Sequence, residues 1–185
     1  MPGSALVGFM TSIPEGIDGV RATLRHMVSV TRSFLKPPVG HGAKVQDLLL
    51  VRVTAQQIVQ GCAEKDYYCE AECLQRFVRD NIRYVQDMLC AETLQTPDKT
   101  LRLCSGDCDD KALLYCALAN CIGYETRFCA NGVDDTDEFS HVSAQVLVPG
   151  TGWVNAETIP IDDRGTKANF GWFPPECTCL MLAHI

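Results

Sequence analysis

The sequence predicts an α+β fold, because helical hydrophobic patterns come first along the chain and strand-like patterns follow. Three segments in the first half have apolar residues at helical spacing, and a fourth, apolar on most faces, predicts a buried helix. After Gly123 the apolar runs become short and strand-like, with the turn Pro149-Gly150-Thr151-Gly152 between the last two. Helices followed by an antiparallel sheet are the order typical of α+β domains.

The helices are bounded by residues that stop them. Lys36-Pro37-Pro38 ends the first, Gly61 the second and Gly123 the fourth. A loop with Pro97 is expected before the fourth. The predicted helices are 17–35, 43–60, 66–87 and 109–122.

The strands are expected to form a sheet whose last two members make a hairpin. The predicted strands are 124–130, 141–148 and 153–158. Residues 1–16 are expected to form an irregular arm, and residues 159–185, rich in Pro and Gly, an irregular tail on the core. The resulting organisation is an arm with helices over 1–61 that could dock a partner, a core over 62–160 and a tail over 161–185, together one domain.

Length and charge exclude several classes of protein. The 185 residues carry 46% hydrophobic side chains, which suits one globular domain and not a disordered chain. A net charge of −7 does not fit a general binder of phosphate backbones, so no nucleic acid partner is expected. No apolar run approaches the length of a membrane span, and the N-terminus has no signal-peptide pattern.

The 11 cysteines are the unusual feature of the composition. They fit small buried core residues, zinc ligands, or disulfides of a protein that is made in a cytosol and used outside it, such as a virion part. No C-x-x-C pair occurs, which weighs against zinc. Because the number is odd, at least one thiol stays free or pairs between chains. The cysteines are Cys62, Cys69, Cys73, Cys90, Cys104, Cys108, Cys116, Cys121, Cys129, Cys177 and Cys179.

Three residues line up as a candidate catalytic triad. Cys108 lies where a loop meets the buried helix, His141 begins a predicted strand and Glu157 lies near the end of the next. A helix N-terminus lowers the pKa of a thiol, and its N–H groups can hold an oxyanion. A histidine can take the thiol proton, and a carboxylate behind it can orient the imidazole.

The charges around Cys108 oppose this chemistry. Asp107, Asp109 and Asp110 flank the thiol, well within a Debye length of about 8 Å at physiological salt, and disfavour its ionisation. The direction in which these side chains point decides which effect is larger.

Taken together, these motifs resemble the transglutaminase-like branch of the papain-like cysteine hydrolases. The resemblance covers about residues 75–160. The matching segments are Ser105-Gly106-Asp107-Cys108-Asp109-Asp110, Ser140-His141-Val142 and Gly152-Trp153-Val154-Asn155-Ala156-Glu157-Thr158. It implies a core in which the buried helix starts at the cysteine and an antiparallel sheet follows, here with additional N-terminal helices.

The resemblance implies Cys108 as nucleophile and His141 as general base. Glu157 stands where the family usually has Asp, so its longer side chain reaches His141 only if the backbone is set back. Asn155 is the alternative orienting group, and a degraded triad is the third possibility. Gln95 is a candidate oxyanion donor. No cofactor or metal is expected at this site.

Two functions follow as expectations. The first is a cysteine protease or amidase that cleaves an amide bond, in a protein or a cell-wall peptide, through an acyl-thioester. Transfer to a lysine amine is less favoured, because the chain is shorter than the large cross-linking enzymes. The resemblance further implies a tailed bacteriophage particle as the location, with other virion proteins or the chain itself as partners.

The alternative is a structural virion protein on the same fold with a relaxed site. Its surplus cysteines would form disulfides within and between chains. The cysteines expected between chains are Cys62, Cys69, Cys73, Cys177 and Cys179. A third possibility, a calcium loop at Asp134, Asp135, Asp137 and Glu138, lacks the spacing of an EF-hand and is better explained as a solvated acidic loop.

Overall fold

A computed structural model of the chain describes residues 9–10, 17–37, 42–87, 92–133, 139–159, 169–171 and 177–185. The helices in these residues are α1 Ile17–Leu35, α2 Gly42–Val59, α3 Tyr67–Asn81, α4 Pro97–Leu103 and α5 Cys108–Cys121. The strands are β1 Phe9–Met10, β2 Arg83–Tyr84, β3 Glu92–Thr93, β4 Ser105–Gly106, β5 Thr126–Val133, β6 Phe139–Val148, β7 Gly152–Ala156 and β8 Cys177–His184.

The main sheet is antiparallel, in the order β7-β6-β5-β8. Phe128 pairs with Ala144, which in turn pairs with Ala156, so small and aromatic side chains lie side by side on one face. Phe128, Ala144 and Ala156 are fully buried in the same hydrophobic cluster as α5. The sheet therefore packs one face against this helix and positions the strand that carries His141.

Helix α5 lies at the centre of the molecule, as its all-round apolar pattern predicted. Every residue from Asp109 to Ala119 is buried. Leu24 of α1, Val51 of α2 and Leu74 of α3 belong to the same core cluster, so the N-terminal helices pack on it from the other side. The α+β prediction is confirmed. Among the helices that the structure describes, none combines the length and apolar composition that a membrane crossing requires.

The predicted third helix was too long. It ends at Asn81 and not at residue 87, because Ile82 takes an extended conformation and the chain turns into β2. Strand β2 then pairs in parallel with β4, with Tyr84 opposite Gly106. This short pairing places Arg83 and Tyr84 next to Ser105 and Gly106, which lead into α5.

Three irregular segments of the prediction contain regular structure. The expected loop at Pro97 is helix α4, because Pro at the first helical position needs no N–H partner. The expected irregular tail contains β8, which pairs antiparallel with β5. Within the expected irregular arm, Phe9–Met10 pairs with Glu92–Thr93.

One disulfide lies in the described residues, between Cys62 after α2 and Cys69 in the first turn of α3. The expectation that these two cysteines bond between chains was therefore wrong, since they bond to each other. The side chains of Cys177 and Cys179, together with the proposed calcium loop at 134–138 and Cys90, lie outside the described residues.

Candidate active site

Cys108 is the first residue of α5, and a tight loop holds it there. The carboxylate of Asp107 caps the helix by accepting a hydrogen bond of 3.0 Å from the N–H of Asp110. Gly106 passes so close to the helix that a Cβ on it would lie 2.6 Å from the Cβ of Asp110. Only glycine fits at that position, which explains why the Asp-Cys-Asp-Asp block follows a glycine.

The thiol of Cys108 points toward strand β6. The backbone N–H of Val142, the residue after His141, lies close enough to favour the thiolate and partly offsets the upward shift of the Cys108 pKa. On its other side, Sγ lies 3.4 Å from Oδ1 of Asp109. The structure thus brings the predicted nucleophile to the strand that carries the predicted base.

His141 and Glu157 are joined by a short polar contact. His141 Nε2 lies 2.6 Å from Glu157 Oε2, and the Glu157 side chain is only 3% exposed. Glu157 Oε1 accepts hydrogen bonds of 2.8 Å from the N–H groups of Thr158 and Ile159. The carboxylate is therefore fixed by its own backbone, and it holds the ring of His141 through Nε2.

Glu157 lies one residue beyond the end of β7, and from there its carboxylate reaches His141. The backbone there is held in place by Gln75, whose side-chain amide donates to the Glu157 carbonyl. The alternative orienting residue, Asn155, accepts a hydrogen bond of 3.1 Å from Ser143 Oγ. It is Glu157 that hydrogen-bonds His141.

Gln95, the predicted oxyanion donor, lies against the first turn of α5. Its backbone N–H donates to Asp110 Oδ1 at 2.7 Å. Its side-chain Oε1 is buried and has no hydrogen-bond partner in the described part of the chain. The structure places Gln95 beside the helix N-terminus, and its role as an oxyanion donor stays a prediction.

Burial and nearby negative charge favour the protonated form of the Cys108 thiol. Burial raises its pKa far above the usual value, and the charges of Asp109 and Asp107 raise it further. Burial, with Asp109 and Asp110, raises the pKa of Asp107 to about 8. Burial also raises the pKa of Asp110 to about 6, although the hydrogen bond from the N–H of Gln95 acts to lower it. Burial is thus the largest cause of the raised thiol pKa, and the opposition expected from the aspartates comes from Asp109 and Asp107.

The pKa of His141 is raised, as expected for a base that lies beside a carboxylate. Burial acts to lower its pKa, but the hydrogen bond and charge of Glu157, with a contribution from Asp109, outweigh burial and raise it. A raised pKa makes the imidazole a stronger proton acceptor.

Sequence reasoning missed Tyr84, which borders the site. Its side chain is 43% exposed. Burial is the largest cause of its raised pKa, and the charges of Cys108 and Asp107 are the next largest, so the phenol lies near the thiol. Tyr84 reaches this place through the β2–β4 pairing, and no local motif signals such a contact.

Lys111 was also missed, although it lies one turn into α5. Its Nζ is buried and donates to the carbonyl of Ile82 at 2.5 Å. Burial lowers its pKa to about 8, opposed by the charges of Glu157 and Asp80. Lys111 thus joins α5 to the point where α3 ends and β2 begins.

This helix-and-sheet arrangement, with a cysteine at the start of the buried helix, defines the class of protein. The model of the transglutaminase-like superfamily matches residues 52–158, which is more than half of the chain. The protein belongs to the transglutaminase-like superfamily. None of the curated proteins matches the sequence.

Two solved structures are similar to this chain at low sequence identity, and the first of them shares its fold. A "putative protease" from Parabacteroides distasonis is 13% identical, with a TM-score of 0.57 over 83% of this chain and 31% of that one. A "putative cysteine protease" from Cytophaga hutchinsonii is 14% identical, with a TM-score of 0.48 over 82% of this chain and 50% of that one. The chain therefore spans half or less of the length of these proteins.

Proposed function

We propose that the protein is a cysteine hydrolase that cleaves an amide bond through an acyl-thioester on Cys108. The observation that carries the proposal is the 2.6 Å contact between His141 Nε2 and Glu157 Oε2. His141 lies on β6, the strand whose Val142 N–H is close to the Cys108 thiol. A histidine with one ring nitrogen fixed by a buried carboxylate can exchange a proton with a thiol through the other nitrogen, as nucleophilic acyl transfer requires.

The reaction then follows from the protonation states. Cys108 Sγ attacks the carbonyl carbon while its proton passes to His141, because the free thiolate is unfavourable beside Asp109. Backbone N–H groups at the start of α5 stabilise the oxyanion. As the C–N bond breaks, His141 returns the proton to the leaving amine. Water, deprotonated by His141, then attacks the thioester and releases the acid and the Cys108 thiol.

The substrate proposed is a protein or a cell-wall peptide with a basic group near the scissile bond. Asp109 is buried beside the thiol and disfavours its ionisation, and a positive charge on the substrate would offset that effect. Such a substrate would favour ionisation of the thiol when it binds.

The test is hydrolysis of fluorogenic amides and of cross-linked peptidoglycan fragments. The variants are Cys108→Ala and His141→Ala, with Cys104→Ala as the matched control at an exposed free cysteine. We expect loss of activity and of the acyl-enzyme mass in the first two variants and full activity in the control. A Cys108→Ala variant as active as the wild type would end the proposal.

A second candidate function, a structural virion protein on a relaxed site, is favoured by the strongly raised pKa of Cys108. A place in a bacteriophage particle, with other virion proteins or a second copy as partner, belongs to both proposals and is supported by the sequence resemblance. Mass spectrometry of purified particles tests it, and particles that lack the chain would refute it. Slow alkylation of Cys108 in active particles would favour the structural function.

A further inference from the structure

Three cysteines converge at the junction of α2 and α3, away from Cys108. Their Sγ atoms all lie within 4.8 Å of one another, and the three residues are half-buried. Cys62 lies in the turn after α2, and Cys69 and Cys73 lie one turn apart on α3. Cys62 and Cys69 form the disulfide, while Cys73 is a free thiol.

The position of Cys73 fits a metal ligand. Its Sγ lies 3.7 Å from that of Cys62 and 4.0 Å from that of Cys69. Zinc binds thiolates tetrahedrally at about 2.3 Å, which places neighbouring sulfurs about 3.8 Å apart. Two of the three sulfur separations already have this value, and opening the disulfide lets the third reach it. The three sulfurs then form one face of a tetrahedron.

The surroundings favour a cation. Between Cys62 and Cys73 the chain carries four carboxylates and one basic side chain, namely Glu64, Asp66, Glu70, Glu72 and Lys65. The carboxylate of Asp66 caps α3 through the N–H of Cys69, which fixes the helix end that carries two of the sulfurs. Thiolate sulfur selects soft ions such as Zn²⁺ over Mg²⁺ and Ca²⁺.

We propose that Cys62, Cys69 and Cys73, once reduced, bind one Zn²⁺ through three thiolates, with the fourth position open to water or an external ligand. A dithiol reductant supplies two electrons and two protons, which convert the disulfide to two thiols while the dithiol closes to its own disulfide. Binding of Zn²⁺ then releases three thiol protons. The site exists in two forms, a disulfide with one thiol and a metal thiolate.

The experiment titrates the full-length reduced protein with Zn²⁺ against a chromophoric chelator, and with Co²⁺ to observe thiolate-to-metal charge transfer. The test variant is Cys73→Ser, which keeps the disulfide pair. The matched control is Cys104→Ser, which removes an exposed cysteine outside the cluster. We expect one equivalent of Zn²⁺ in the wild type and the control, and an affinity at least about 100-fold weaker in Cys73→Ser.

Equal Zn²⁺ affinity in Cys73→Ser and Cys104→Ser would overturn the proposal, as would a reduced wild type without charge-transfer absorption. Cys62→Ser, at a turn residue outside the helices, gives the same comparison if Cys73→Ser does not fold. None of the three sulfurs takes part in the proposed hydrolysis. Failure of this proposal is therefore distinguishable from failure of the proposed function.

Discussion

Replacing Asp109 by Asn should make Cys108 more reactive. The carboxylate oxygen Oδ1 lies 3.4 Å from Sγ, and the charge of Asp109 raises the pKa of the thiol. Asparagine has nearly the same shape and keeps an oxygen that can accept the thiol hydrogen, but it lacks the charge. The substitution therefore removes the charge while it keeps the size of the side chain.

The size of the effect follows from the distance. Two unit charges 3.4 Å apart interact by about 1 kcal/mol in bulk water and about 5 kcal/mol at an effective dielectric constant of 20. This corresponds to a pKa lower by about 1 to 3.5 units. Each unit raises the thiolate fraction about tenfold, and the accompanying loss of nucleophilicity leaves a net gain of about 3- to 4-fold. We therefore expect alkylation to be about 3- to 100-fold faster.

The assay is alkylation of the native protein with iodoacetamide at pH 8, with the modified cysteines mapped by peptide mass. Asp18→Asn is the matched control, because Asp18 also lies in a first helical turn but pairs with Arg21 on the surface. An Asp109→Asn variant that alkylates at or below the wild-type rate would show that Asp109 does not hold the thiol protonated.

Three further outcomes are expected. In Glu157→Gln the ring of His141 should titrate at lower pH by NMR, because the carboxylate raises its pKa; an unchanged or higher value would contradict this. The pKa of Asp107 is raised to about 8, so its contribution to stability is complete below the unfolded value near 3.8 and is lost as pH rises through 8. Asp107→Asn keeps an acceptor for the helix cap and should therefore gain stability relative to the wild type as pH rises across that window, by at most about 1.4 kcal/mol per pH unit. The same difference in unfolding free energy between variant and wild type at pH 5 and at pH 8 would refute this. Leu118→Ala, at a fully buried position of α5, should lower the free energy of unfolding by about 2–5 kcal/mol, and a loss below 1 kcal/mol in urea titrations would show that the core repacks there.

Local patterns were sufficient for the elements whose boundaries depend on nearby residues. The prediction for α1 matches the structure at both ends, because the apolar face and the Lys36-Pro37-Pro38 stop are adjacent in sequence. The β6–β7 hairpin was found from its Pro-Gly turn for the same reason. The start of α5 was displaced by one residue, since the cap is Asp107.

Elements defined by distant partners could not be found in this way. Pro97 fits a loop as well as a helix start, and burial of Pro97 and Thr100 on the core decides between them. Strand β8 follows Pro174 and Pro175 and has no clear alternation, so pairing with β5 is what makes it a strand.

The candidate site divides in the same way. Cys108 and its capping aspartate could be read from one helix start, whereas the reach of Glu157 depends on where β7 ends. Tyr84 enters the site only through the β2–β4 pairing, and the meeting of Cys62, Cys69 and Cys73 depends on the angle of the α2–α3 turn.

The Glu157 carboxylate also links the end of β7 to the histidine on the neighbouring strand β6. One of its oxygens holds the peptide groups of Thr158 and Ile159, and the other holds the imidazole of His141. A rearrangement of that short backbone segment would withdraw the carboxylate and leave the ring free to rotate. The orientation of the His141 ring is thus tied to the conformation of two peptide groups.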